Sequence, residues 1–503
     1  MTTALPDTDH QQQQGRTLDP QDWDEIRAQG HRMLDDMIDY IANIRMRPVW
    51  QPIPSEARER FREALPHAPC ELGEVYREFA DYVVPYATGN VHPGFMGWVH
   101  GGGSAVGMLA EMLAAGLNAN LGGRDHMPIE VERQIVAWTR EMFGFPPGAS
   151  GLFVTGTSMA NLMAVLVARR AALGSWVRQY GIGETGGLLQ AYTSKAAHGC
   201  ISKAMDIAGF GSDALRCIGV DRDHRIDVSA LRSAIAADRK AGLRPFLVVA
   251  SVGTVDIGAI DDLAAVAALC REEKLWFHVD GAFGALAILS PALAPRLAGI
   301  EQADSIALDF HKWGQVPYDA GFLLVRDGER HSAAFAAPAA YLRRETRGLA
   351  AGAQWPCDLG PDLSRGFRAL KTWFTIKTFG ADRLGAMIAR SCELAKYLEG
   401  RVRAEPELEL LAPVNLNIVC FRYRAADANA LNGDIVADIQ EAGIAAPSST
   451  MLDGRLAIRA AIVNHRTEVR DVDALIAAVL MFGRQRAAGQ LPLMEIEAPP
   501  LAL

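Results

Sequence analysis

The chain is poor in the marks of several protein classes, and each absence narrows what it can be. No stretch of its 503 residues approaches the roughly 20 consecutive apolar residues that a helix needs to cross a bilayer. The net charge of −9 leaves no basic footprint for nucleic acid or for an anionic lipid surface. Seven cysteines, at 70, 200, 217, 270, 357, 392 and 420, form no Cys-x-x-Cys pair and no metal-ligand spacing. Reduced thiols in a cytoplasm are therefore expected, with no metal site. Internal repeats are lacking, and low complexity is confined to the glutamines at 11–14.

What is present is apolar material: half of the residues, enough for a large core and more than one domain. Residues 1–20, with no apolar h-region, read as a flexible tail. Across 21–104, Ile26, Met33, Met37, Ile41 and Ile44 recur at helical spacing between Trp23 and Met46, until Pro48, Pro52 and Pro54 stop the pattern. Over 105–374, strand-like apolar runs alternate with longer helical patterns, which predicts α/β architecture with a mainly parallel sheet covered by helices. Ligands of such sheets bind at the strand ends. From 375 to 485 a helix over Leu384 to Val402 precedes strand-like runs Leu416 to Tyr423 and Leu456 to Val463. Helices accompany them around Asp434 to Glu441 and Asp471 to Phe482. This reads as a smaller C-terminal α/β domain, followed by a tail over 486–503.

Three segments carry chemistry. Ser305 to Arg326 reads SIALDFHKWGQVPYDAGFLLVR, and Lys312 stands at the exit of its apolar run. A lysine held at a buried strand end becomes a nucleophilic amine able to condense with a carbonyl, although a surface lysine at a strand end is the ordinary alternative. Trp276 to Phe283, WFHVDGAF, ends an apolar run on Asp280. That acid either caps a turn or holds a pyridinium nitrogen protonated. Gly151 to Asn161, GLFVTGTSMAN, reads as strand, Gly-Thr-Ser turn and helix, offering N–H groups, hydroxyls and a positive helix end to an anion. Ser158 also reads as a plain N-cap. The segment is neither a Walker loop nor a G-x-G-x-x-G dinucleotide turn. Taken together, a lysine, an acid and a hydroxyl-rich helix start are the three attachments that pyridoxal 5'-phosphate needs.

The lysine segment also resembles the signature of the group II pyridoxal phosphate-dependent decarboxylase family, typified by aromatic-L-amino-acid decarboxylase. Ser305, Ile306, Lys312, Trp313, Gly314, Tyr318, Ala320, Leu323 and Arg326 occupy its required positions. The resemblance runs over nearly the whole chain after about residue 20. It implies a PLP-dependent transferase-like fold of type I and a homodimer whose N-terminal segment wraps the partner. The implied activity is decarboxylation of an L-amino acid, most simply an aromatic one.

Residue by residue, the resemblance makes Lys312 the Schiff-base lysine and Asp280 the partner of the pyridinium nitrogen. Ala282 packs under the ring and His198 stacks on its other face. Thr157 and Ser158 hold the phosphate, His311 lies beside the phosphate and substrate, and Thr254 lies near both cofactor and substrate. Tyr341, in a glycine- and arginine-rich stretch that reads as a mobile loop, protonates the carbanion left by loss of carbon dioxide. Relatives acting as aldehyde synthases depart at this tyrosine or at the stacking histidine, and this chain keeps both. Two segments differ from the family's usual wording. Asp309-Phe310 replaces asparagine-proline before the His-Lys pair, and Trp98, Val99 and His100 stand where the substrate pocket has an aromatic pair and proline. Alternatives are an aldehyde synthase or carbon–carbon lyase on the same fold, and a non-catalytic cofactor-binding protein.

Overall fold

Local sequence explains where the elements begin and end in the computed structural model, which describes residues 17–337, 344–352 and 354–490. Helix α1 (Trp23–Ala42) starts where the Asp22 carboxylate accepts from the backbone N–H groups of Asp24 and Glu25 at 2.8 and 3.1 Å. Acids at Asp24 and Glu25 complement the positive end of the helix dipole. The helix stops at Ala42, short of the expected Met46, and a single 3-10 turn over Ile44–Met46 finishes the approach to Pro48. Helix α2 (Leu72–Tyr82) joins it through a 2.5 Å hydrogen bond from the Tyr76 hydroxyl to Asp36. These elements belong to one compact unit, residues 17–47 with 52–87; residues 48–51 with 88–490 make a second.

The second unit holds both sheets found among the described residues. The larger contains β2 (Ser150–Val154), β3 (Leu189–Ser194), β4 (Leu215–Ile218), β5 (Arg244–Ser251), β6 (Trp276–Asp280), β7 (Ser305–Asp309) and β8 (Gly321–Val325), ordered β2-β8-β7-β6-β5-β3-β4. Strands β3 to β7 run parallel, as the largely apolar runs of β5, β6 and β7 predict. β8 runs antiparallel to both of its neighbours, β2 and β7. Helices α3 (Ala105–Leu117), α4 (Met127–Phe143), α5 (Thr157–Leu173), α6 (Cys200–Ile207), α7 (Val228–Lys240) and α8 (Leu263–Glu273) accompany these strands. Leu247, Val249 and Leu323 lie in one core cluster and Val248, Val279 and Leu324 in another, so successive residues of a strand enter different clusters.

A smaller sheet is ordered β1-β11-β12-β10-β9, from β1 (Phe95–Met96), β9 (Leu408–Leu410), β10 (Ile418–Tyr423), β11 (Ala446–Leu452) and β12 (Arg455–Ala461). β1 adds to it in parallel, Phe95 opposite Ala446. Helix α9 (Arg368–Ala404) is interrupted at Gly380, with φ 75° and ψ 156°, so the helix expected from Leu384 is its second half. Helices α10 (Ala428–Glu441) and α11 (Val469–Ala487) bury Ile435, Ile439, Val472, Leu475 and Val479 in the core beside this sheet. The sequence reading missed β11, whose residues Ser448, Ser449 and Thr450 interrupt any apolar run. Among the described residues, no helix is long and apolar enough to cross a membrane.

Candidate active site

The ends of the parallel strands converge on one cavity. His198 follows β3, Thr254 follows β5, Asp280 ends β6 and Lys312 follows β7; all four line a space of about 340 Å³. Thr157, Ser158, Ala282, Trp98, Val99 and His100 line it as well. One described residue expected at the site, His311, is not among those that line the cavity. His311 is buried beside this wall, its Nδ1 accepting from the Ala320 N–H at 2.9 Å and its ring 4.3 Å from that of Tyr318. Tyr341 lies outside the described residues.

The lysine and the helix start are joined by a carboxylate. Lys312 Nζ lies 3.0 Å from Asp309 Oδ2. The same carboxylate accepts from the Thr157 N–H at Oδ1 and from the Thr157 hydroxyl at Oδ2, both at 2.8 Å. Thr157 is the first residue of α5, and Gly156 before it has no side chain with which to cap the helix. Asp309, from a strand 152 positions away, therefore satisfies one of the helix's otherwise unpaired N–H groups and puts negative charge at its positive end. Ser158, readable as a cap from sequence, is instead the second helical residue, exposed in the cavity wall.

Two glycines permit this closeness. Gly321 of β8 stands opposite both Val154 and Asp309, and a Cβ on it would come within 2.3 Å of the Gly156 Cα. A Cβ on Gly101 would come within 2.2 Å of the His311 carbonyl oxygen. The neighbouring Gly102 N–H donates to Gln315 Oε1 at 3.0 Å, holding the pocket segment against the lysine turn.

Asp280 is a buried acid facing the cavity. Its Oδ1 accepts from the Ala282 N–H at 3.2 Å. Burial pushes its carboxyl up toward the neutral form, opposed by the Lys312 charge and the Ala282 N–H. A cation brought into the cavity would hold it ionised. His198 is exposed in the wall, with Nδ1 accepting from the Cys200 N–H at 3.1 Å. Thr254 is buried, and its Oγ1 accepts from the Ala259 N–H at 2.9 Å.

The aromatic wall is built on an unusual backbone. Trp98 adopts φ 47°, a left-handed conformation costing about 1–3 kcal/mol for such a residue. Its N–H donates to Ser448 Oγ at 3.2 Å, and its carbonyl accepts from Arg459 Nη1 at 2.9 Å. Its ring stacks on His100 at 5.6 Å. Burial, then the Lys312 charge, pushes the His100 imidazole toward its neutral form.

Sequence reasoning missed Arg459, Asp256, Phe283 and Ser448 to Thr450, which also line the cavity. The one available signal was Arg459 itself, a cation inside an apolar strand run. Its guanidinium donates to the carbonyls of Asp256, Val255 and Trp98 and to Ser448 Oγ, at 2.6–3.2 Å. Four of its five N–H donors are thereby engaged within the protein.

These features fit pyridoxal 5'-phosphate: an amine for its aldehyde, a buried acid for its ring nitrogen, and for its phosphate a helix start where Ser158 is exposed to the cavity while Thr157 is engaged by Asp309. The family described as "Pyridoxal-dependent decarboxylase conserved domain" matches residues 54–424. Aromatic-L-amino-acid decarboxylase of Bacillus atrophaeus is 34% identical over 460 residues, covering 89% of this chain and 93% of that protein. Phenylacetaldehyde synthase of Arabidopsis thaliana is 28% identical over 473 residues, covering 91% and 96% respectively. The crystal structure of Oryza sativa TDC with PLP and tryptamine superposes with a TM-score of 0.84 at 27% identity, over 94% of this chain and all of that one. With a family match spanning most of its length and this site at its strand ends, the chain belongs to the pyridoxal-dependent decarboxylases, with the type I fold and pyridoxal 5'-phosphate as cofactor.

Proposed function

We propose that this protein converts an aromatic L-amino acid to the corresponding amine and carbon dioxide. The observation that carries the reading is the single cavity in which Lys312, Asp280 and the start of α5 meet beneath an aromatic wall of Trp98, His100 and Phe283. When bound, the cofactor serves as a sink for the electron pair left on Cα as carbon dioxide departs.

Lys312 supplies the amine that holds the cofactor. Asp280 keeps a proton on the ring nitrogen, with Ala282 and His198 on the two faces of the ring. Thr157 and Ser158 serve the phosphate end with His311 beside it, and Thr254 lies near both cofactor and substrate. The aromatic side chains exclude water and offer stacking surface to an aromatic substrate. Arg459, committed to backbone carbonyls, does not clamp the substrate carboxylate, which favours its departure. Tyr341 returns a proton to Cα; His311, buried outside the cavity lining, is not placed to do so.

The same reading makes the protein a cytoplasmic homodimer, with residues 21–104 wrapping the partner, 105–374 holding the cofactor and 375–485 forming the smaller domain. No residue of α1 is buried within its own chain, and Trp23, Ile26 and Ile38 are exposed, as a helix awaiting a partner requires. Sedimentation of the loaded protein should give twice the chain mass.

A second reading, oxidative decarboxylation to an aldehyde, is favoured by the likeness to phenylacetaldehyde synthase. A panel of amino acids with carbon dioxide, amine, aldehyde and peroxide all measured separates the two. Amine as the main product from tyrosine, tryptophan, phenylalanine or dopa supports the proposal; aldehyde with peroxide overturns it.

A further inference from the structure

A row of buried polar side chains that the chemistry above does not use runs from Trp276 to Asp280, and of its members before that acid only Cys200 lines the cavity. The Trp276 indole N–H donates to Ser305 Oγ at 2.9 Å. Ser305 Oγ lies 2.8 Å from His278 Nδ1, and His278 Nε2 lies 2.8 Å from Asn161 Oδ1. Asn161 Nδ2 donates to Cys200 Sγ at 3.2 Å, and that sulfur is 4.0 Å from Asp280 Oδ2. Asn161, His278 and Ser305 are wholly buried, so none of these groups can turn to water for a partner.

The direction of every hydrogen follows from the two ends. An indole only donates, so Ser305 Oγ accepts there and keeps one hydrogen to give. At the other end, an amide beside an ionised carboxylate turns its NH₂ toward it, because the reverse would set a carbonyl oxygen against negative charge. Asn161 Oδ1 then faces His278 and must receive a hydrogen from Nε2. Burial pushes the His278 pKa down to about 4, so the ring is neutral and carries a single N–H, at Nε2. Its bare Nδ1 accepts the Ser305 hydroxyl. Every donor in the row thus aims toward Asp280, each bond polarising the next.

We propose that Asn161 and His278 are positioning residues for Asp280, members of a one-way donor row that runs through the Asn161 amide and the Cys200 thiol to the carboxylate and holds it ionised and aimed at the cofactor's ring nitrogen. The inference rests on the assignment of Asp280 to that nitrogen. It also explains the serine that opens the lysine signature: Ser305 fixes which nitrogen of His278 bears hydrogen.

The test measures the dissociation constant of pyridoxal 5'-phosphate and the visible absorption of the bound cofactor in Asn161→Leu, His278→Phe, His278→Gln and Ser305→Ala, beside wild type and Asp280→Asn. Asn161→Leu and His278→Phe are expected to weaken binding about tenfold or more and to move the band in the same direction as Asp280→Asn. His278→Gln, whose amide can still donate to Asn161, should recover most of both. Ser305→Ala removes one oxygen, the acceptor of the Trp276 indole N–H, and its folding is checked by circular dichroism. It lets the imidazole hydrogen move to Nδ1, facing the Ser305 carbonyl at 3.1 Å, and should shift the band the same way. Wild-type affinity and spectrum in folded Ser305→Ala together with either Asn161→Leu or His278→Phe would overturn the row while leaving Asp280 in its role. An unchanged band in Asp280→Asn would instead remove the assignment beneath it.

Discussion

Replacing Asp309 probes the tie between the lysine turn and the helix start. In the native chain one buried carboxylate receives the Thr157 N–H and hydroxyl at 2.8 Å each and the Lys312 ammonium at 3.0 Å. Asp309→Asn keeps the oxygen that serves the Thr157 N–H, yet sets an NH₂ against two donors. The hydroxyl can rotate away, whereas the ammonium loses its partner, at a cost of about 1.5–3 kcal/mol for a charge-assisted bond. Asp309→Ala additionally leaves the Thr157 N–H buried without an acceptor, a further cost of about 1–3 kcal/mol. In urea unfolding of the cofactor-free protein, the alanine variant should therefore lose about twice as much stability as the asparagine variant. Hydrogen exchange reads the same bond locally. The Thr157 amide should stay protected in Asp309→Asn and exchange about 5- to 150-fold faster in Asp309→Ala, the equivalent of 1–3 kcal/mol. Equal losses in the two variants, or an unchanged Thr157 amide in the alanine variant, would refute the capping role.

Lys312→Ala should retain no cofactor after borohydride reduction and dialysis, checked by mass spectrometry; covalent label elsewhere in the chain would move the assignment. Asp280→Asn should lower kcat/KM about 100-fold or more, and near-native turnover would exclude it as the ring-nitrogen partner. Tyr341→Phe should lose amine and gain aldehyde in product analysis, and unchanged amine formation would remove it as proton donor. Arg365 Nη2 and Nη1 bind the two oxygens of buried Glu132 at 2.6 and 3.1 Å and also reach the carbonyls of Phe153 and Leu121. Arg365→Met should cost about 3–5 kcal/mol in urea unfolding by leaving Glu132 unpaired, and a loss below about 1 kcal/mol would contradict that.

Much of this site was legible because strand ends announce themselves. An apolar run that stops at Asp280, or just before Lys312, marks both the strand and the residue it delivers, and the hydroxyl-rich turn at Thr157 and Ser158 marks the helix that follows. What escaped depends on partners distant in sequence. Asp309 reads as an acid in the wrong place until Thr157 is seen across Gly321. Trp98 carries no sequence mark of its left-handed backbone, since that conformation is imposed by Ser448 and Arg459, some 350 positions away. The strand supplying Ser448 was hidden by its own polarity. Ser158 as a cap was a reasonable local reading, displaced because a remote carboxylate took the first N–H of the helix.

One strand stands between the lysine turn and the start of α5. β8 is hydrogen-bonded to β2 on one side and to β7 on the other, with Gly321 level with Val154 and with Asp309. Neighbouring strands lie about 4.8 Å apart, so backbone ladders alone set the lysine turn and the helix start about 10 Å apart at their roots. The sheet thereby sets this spacing in main chain, with Gly321 keeping a side chain out of the gap. Exchange of Trp98, His100 or Phe283 would then reshape the aromatic wall of the cavity while that spacing stays fixed, so the two are free to change separately.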